Sequence, residues 1–162
     1  MNNKSKQVHP KDLLQRIQLN LAFRPLFHRQ TVQDCLCLSR EAVNKMIQSG
    51  ELAWAFDVGI GNYRSEPRIL TLCIVEQQLG PIPAIGASKN LRLQEVVNLI
   101  FPQRNIRSTE LKRIFSCGND WFRHNRHNFK IVQPARAKDG PYSYCVISRQ
   151  SAADFLVKGR MM

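Results

Sequence analysis

The sequence predicts an α+β fold, mainly helical, and three observations carry that expectation. Apolar residues recur at helical spacing through several short stretches bounded by caps and glycines. Between these stretches lie segments whose apolar residues alternate, as a strand with one buried face requires. The order of the segments is the same in the two halves of the chain.

In the first half, residues 1–10 are polar and read as a mobile tail. KDLLQRIQLNL (11–21) sets Leu14, Ile17 and Leu21 on one helical face, with an end near Pro25. LFHRQTVQDCLCL (26–38) puts Phe27, Val32, Cys35 and Leu36 together and predicts a second short helix. Ser39 suits a helix N-cap, Val43, Met46 and Ile47 form the next apolar stripe, and Gly50 stands where a left-handed residue ends a helix. The period then changes. Leu52, Trp54, Phe56 and Val58 alternate, GIGNYRSEP (59–67) is a turn-rich loop, and RIL (68–70) is a returning strand. Thr71 is placed to cap a helix over 72–79, and GPIPAIGASKN (80–90) is a linker rich in Pro and Gly.

Past the linker, 91–101, 106–115 and 118–127 read as helices, 129–134 and 142–147 as strands around a loop at 135–140. Ser148 caps a closing helix over 149–156, and 158–162 is a tail. Adding 79 carries Leu14, Ile17 and Leu21 onto Leu93, Val96 and Ile100, and Phe27, Val32 and Leu36 onto Ile106, Leu111 and Phe115. Beyond the third helix an offset of 77 carries Ile69 to Val146 and Leu79 to Leu156. The expected organisation is therefore a unit at 11–79 and a second at 91–157.

Composition narrows the function. The chain has 24 Lys and Arg against 12 Asp and Glu, a net charge of +12, which favours an anionic partner. Double-stranded nucleic acid heads the list because neutralising its phosphates releases counterions; a membrane surface comes second. No apolar run approaches the roughly 20 residues that span a bilayer, and MNNKSKQVHPK lacks the apolar core of a signal peptide. Five cysteines, an odd number mostly within apolar-periodic segments, suit reduced, buried side chains in a cytoplasmic protein. The carboxylates are scattered, and there is no phosphate-cradling glycine loop and no nucleophile elbow, so no enzyme activity is expected. Cys35 and Cys37, and His124 and His127, lack the second cysteine pair of a structural zinc site, so no metal or cofactor is expected. Trp54, Phe56, Trp121 and Phe122 fall at core spacing.

Helix, helix, tight turn, helix and two-stranded wing is the order of a winged helix-turn-helix. FHRQTVQDCLCLSREAVNKMIQSGEL (27–52) resembles the DNA-binding unit of the excisionase and MerR-type families. Those families place a Ser-Arg, a β-branched residue, an apolar pair and Gly-Glu-Leu where this chain has Ser39-Arg40, Val43, Met46-Ile47 and Gly50-Glu51-Leu52. The resemblance covers about residues 27–79 and extends more loosely to 106–156. The chain departs from the pattern at the turn, where Cys37 and Ser116 replace the usual Gly, and at His28 and Arg107, which replace a Thr-type cap. Gly118 stands in place of the second capping Ser.

The resemblance implies two tandem winged helix-turn-helix units, a double-stranded DNA partner, and a role in transcription regulation or excisionase-like assistance to a recombinase. With Val43 and Ile47 inward, Arg40, Glu41, Asn44, Lys45 and Gln48 spread over the outer face. Arg and Asn can grip guanine and adenine edges with paired hydrogen bonds, and Lys45 suits a phosphate. The matching residues of the second unit are Asn119, Asp120, Arg123, His124 and His127. The wings contribute Arg64 and Arg68, then Arg136 and Lys138. A competing expectation is a protein-interaction module that docks a recombinase or RNA polymerase, with Trp121 and Phe122 as partly exposed anchors.

Overall fold

Each half of the chain builds a small antiparallel sheet framed by short helices, and one cluster of buried side chains runs through both halves. The computed structural model describes residues 21, 23–59, 64–83, 85–135 and 144–161. The expected first helix lies outside the described residues over 11–20, as do the tail at 1–10 and the wing cations Arg136 and Lys138.

The first half runs β1 (Leu26–His28), α1 (Arg29–Leu36), α2 (Arg40–Ser49), β2 (Ala55–Asp57), β3 (Pro67–Leu70) and α3 (Thr71–Leu79). A single 3-10 turn at Ser88–Asn90 leads into the second half. There the elements are α4 (Leu93–Ile100), β4 (Asn105–Arg107), α5 (Ser108–Ile114), α6 (Asn119–Asn125), β5 (Ile131–Gln133), β6 (Val146–Ser148), α7 (Arg149–Lys158) and β7 (Arg160–Met161). The sheet orders are β1-β3-β2-β7 and β4-β6-β5, so the returning strand is central in both.

Residues 26–28 and 106–107, expected to open helices, belong instead to the strands Leu26–His28 and Asn105–Arg107. Three residues are too few to display an alternating pattern, and what makes them strands is a distant partner. Phe27 stands opposite Ile69, and Ile106 opposite Ile147. This pairing also corrects the internal spacing. Since 106 − 27 = 79 while 147 − 69 = 78, Ile69 corresponds to Ile147 rather than Val146. Ala55 and Ile131 face those two residues, and 131 − 55 = 76. Three residues are therefore lost between helix and wing, and two are regained in the wing loop.

The two helix turns match closely. Cys37 (φ 53°) and Ser116 (φ 49°) both adopt the left-handed conformation. Leu38 N–H donates to Gln33 O at 3.0 Å, and Cys117 N–H donates to Lys112 O at 2.8 Å, the same bond displaced by 79 residues. Both turns thus keep the shape that glycine would adopt freely, at a steric cost of about 1–2 kcal/mol. Ser148 caps α7 as expected, its Oγ accepting from Ser151 N–H at 3.4 Å. Thr71 does not cap: it is the first residue of α3, and its hydroxyl donates to Arg24 O at 2.6 Å.

What joins the halves is a set of specific bonds. Arg68, expected on the wing surface, is only 2% exposed. Its guanidinium donates to Phe115 O at 2.6 Å and Ser116 O at 3.2 Å, at the end of α5, and lies 3.5 Å from the Glu66 carboxylate. Ser116 Oγ donates to Leu26 O at 2.8 Å, and Trp121 Nε1 donates to Val58 O at 2.9 Å. The C-terminal residues, expected to be a tail, form β7 and pair with β2, Met161 opposite Ala55. Arg160 then lies 4.2 Å over the Trp54 ring. Around these bonds Phe115 packs against Phe101, Trp121 and Phe155 with centroids 5.5–5.9 Å apart.

The cysteines split. Cys73 and Cys145 are buried and Cys117 is partly so, but Cys35, expected inside, is exposed on the last turn of α1, as is Cys37 in the turn beyond it. Val32 is the one fully buried residue of that helix, with Leu36 packed half-buried against the core. Thiol labelling of the native protein should therefore show two fast cysteines, Cys35 and Cys37. Cys117 should lag, because burial pushes its thiol up to about 11 despite the Arg68 charge beside it. A single fast thiol, or five, would contradict this packing. Replacing Cys37 by Gly should raise stability by up to about 1 kcal/mol in denaturant titration, since it relieves the left-handed strain. Ser116→Gly should give no such gain, because it also removes the bond to Leu26 O.

Candidate functional site

The helix that carries the predicted site is well framed. Ser39 Oγ accepts from Ala42 N–H at 3.2 Å, Glu41 sits in the first turn, and Gly50 (φ 78°) ends α2. A carboxylate in the first turn suits the positive end of the helix dipole. Val43 and Ile47 are buried, whereas Arg40, Glu41, Lys45 and Gln48 are exposed. Asn44 is half-buried, and its Oδ1 accepts from the Arg29 guanidinium at 3.2 Å. The outer face of α2 is thus a polar surface with its Asn44 amide braced from α1.

Arg29 was not expected at the site, since nothing in the sequence distinguishes the first residue of α1 from any solvated cation. Burial, and then the charge of Arg40 beside it, hold its guanidinium below the ordinary arginine range. Two like charges converge there.

At the base of the β2–β3 hairpin, expected to be the first wing, Asp57 Oδ1 accepts from Gly59 N–H at 2.8 Å and Glu66 N–H at 2.9 Å. A Cβ on Gly59 would lie 2.3 Å from Arg64 O, so only glycine fits this crossing. Arg64 itself is exposed. Arg68 is withdrawn from the site: its donors are spent on carbonyls at the junction, and it is a strut rather than a wing contact.

In the second half, Asn119, Arg123, His124 and His127 are all exposed on or just past α6. They are more committed to one another than their counterparts. Arg123 pairs with Asp120 at 2.9 Å, His124 Nδ1 lies 2.7 Å from Asp120 O, and Lys112 Nζ donates to Asn119 Oδ1 at 2.6 Å. Gly118 provides no side-chain cap. Trp121, the expected docking anchor, is buried at 8% exposure, and Phe122 stacks on Phe129 at 6.3 Å. These aromatics belong to the core, and their periodic spacing had pointed there.

Among the described residues, no three His, Cys, Asp or Glu side chains gather as metal ligands would. No helix of the described residues is long and apolar enough to cross a membrane. No protein-family model matches the chain, and no curated protein or solved structure is significantly similar to it.

His28 links the site to the junction. Burial first, and then the charge of Arg68, lower its imidazole from the ordinary 6.5, against a raising influence from the Ser116 backbone and Glu66. The folded chain therefore resists a proton that the unfolded chain accepts below 6.5. Stability should be complete above that value and decline as the pH falls through 6.5 toward the lower folded value. His28→Gln should flatten this segment of the pH–stability curve; a curve with the same slope in the variant would remove His28 as its source.

Proposed function

We propose that the protein binds double-stranded DNA through the outer face of α2, as a transcription regulator or an excisionase-like recombination accessory factor. The observation that carries this reading is the division of α2 itself. Its apolar side is sealed in the core, and its Arg40, Lys45 and Gln48 stand free of any internal covering. Two further facts support it. The order strand, helix, turn, helix, strand, strand, with the returning strand central, recurs in both halves and supports a winged helix-turn-helix reading of each. The net charge of +12 suits a polyphosphate partner.

In this reading Arg40 and Asn44 contact base edges, and Lys45 and Arg64 contact phosphates. The Arg29–Asn44 bond fixes the amide before DNA arrives, which lowers the ordering cost of a paired contact to adenine. The second helix, α6, is a weaker reader. Asp120 repels phosphate, and the exposed polar groups near it are already paired. Because the junction bonds hold the halves together, the two helices would meet DNA at one fixed spacing.

Arg40→Ala or Asn44→Ala should each cost about 1–3 kcal/mol on the preferred site and relax its sequence preference. The check is a pair of titrations, on the preferred duplex and on random duplex. An equal loss on both would show that these side chains do not read sequence.

A further inference from the structure

Two surface concavities meet at His28, which lines both. One lies between α1, the start of α2 and the root of the first wing, and holds Arg29 and Arg40. The other lies between β1 and α5, across the junction of the halves, and holds Arg24, Lys112 and Arg113. Besides the buried Arg68, which also lines the first, five cations therefore line a path that passes from one half to the other. Among the described residues lining it, the only carboxylate is Glu66, which lies against the buried Arg68 at 3.5 Å.

The arrangement does not suit a single small anion. Its cations are spread along two concavities rather than gathered around one point, and they come from α1, α2, α5 and the segment before β1. A polyanion with charges repeated along its length satisfies such a row, each neutralised phosphate releasing counterions. Glu66 is the only opposing charge among the described lining residues, so its removal should favour the same ligand.

From this geometry we infer that the paired concavities seat the sugar-phosphate backbone of the DNA held by α2. One strand then crosses from the first half to the second along Arg29, Arg24 and Lys112, starting beside Arg40, which keeps its place at the base edges. The inference rests on the DNA reading of α2 and adds a route to it. The second half contributes through α5 and the junction, not only through α6. Arg24, Arg29, Lys112 and Arg113 become backbone contacts without sequence preference.

The test compares the full chain with the Arg24→Gln/Lys112→Gln double variant and with Glu66→Gln. Each is titrated with preferred and random duplex at several salt concentrations. In the double variant, the slope of log affinity against log salt should become shallower by about 1.8, two contacts at about 0.9 each. The loss should be equal on both duplexes. Glu66→Gln should bind several-fold more tightly at low salt, a gain that faulty folding cannot imitate. An unchanged slope in the double variant, or no gain in Glu66→Gln, overturns the route. If Arg40→Ala still weakens binding in that case, the α2 reading survives. Failure of the unaltered protein to bind duplex overturns both.

Discussion

The structure depends on one guanidinium. Arg68 leaves the central strand of the first sheet and donates to Phe115 O and Ser116 O, the carbonyls at the end of α5 in the other half. A cation at a helix C-terminus meets the negative end of the helix dipole, an attraction of up to about 2 kcal/mol when partly buried. It also satisfies carbonyls that α5 leaves without partners. The glutamate at 3.5 Å limits the cost of burying the charge, although a buried pair of this kind tends more to specify an arrangement than to add net stability. The Trp121–Val58 bond and the β2–β7 pairing lie beside it. Together they make the base of the β2–β3 hairpin the place where the C-terminal strand β7, α6 and the first sheet converge.

This convergence has a consequence for any ligand. Asp57 receives two wing N–H groups on its carboxylate, and its own N–H donates to Gly159 O at 2.6 Å, so the C-terminal strap and the wing share a residue. Val58, the next residue, accepts from the Trp121 indole. The β2–β3 hairpin and α6 are therefore held by adjacent peptide groups, and a surface assembled this way presents a fixed geometry to any partner.

Much of this fold was legible in the sequence, for local reasons. The Ser39 cap, the Val43–Ile47 stripe and the Gly50 stop are written within twelve residues, and each has a short-range cause. The spacing of 79 held through both turns because the strands, helices and left-handed residues it relates keep one geometry. What stayed hidden was non-local. β1 and β4 are strands only because β3 and β6 lie beside them, and the two residues of β7 carry no pattern at all. Arg68 looked like a wing cation because sequence does not reveal a carbonyl 47 residues away. Cys35 looked apolar at core spacing, yet α1 is too short to bury more than Val32 fully. On α2, the exposure of Arg40, Glu41, Lys45 and Gln48 was legible from the helical period, whereas the Arg29 bond to the half-buried Asn44 was not.

The account is tested most directly by selecting duplexes from a random pool with the unaltered chain and measuring their affinity against salt. It predicts enrichment of one defined motif, with tight binding that falls steeply as salt rises. A pool that stays random through successive rounds, or capture indifferent to salt, would contradict it.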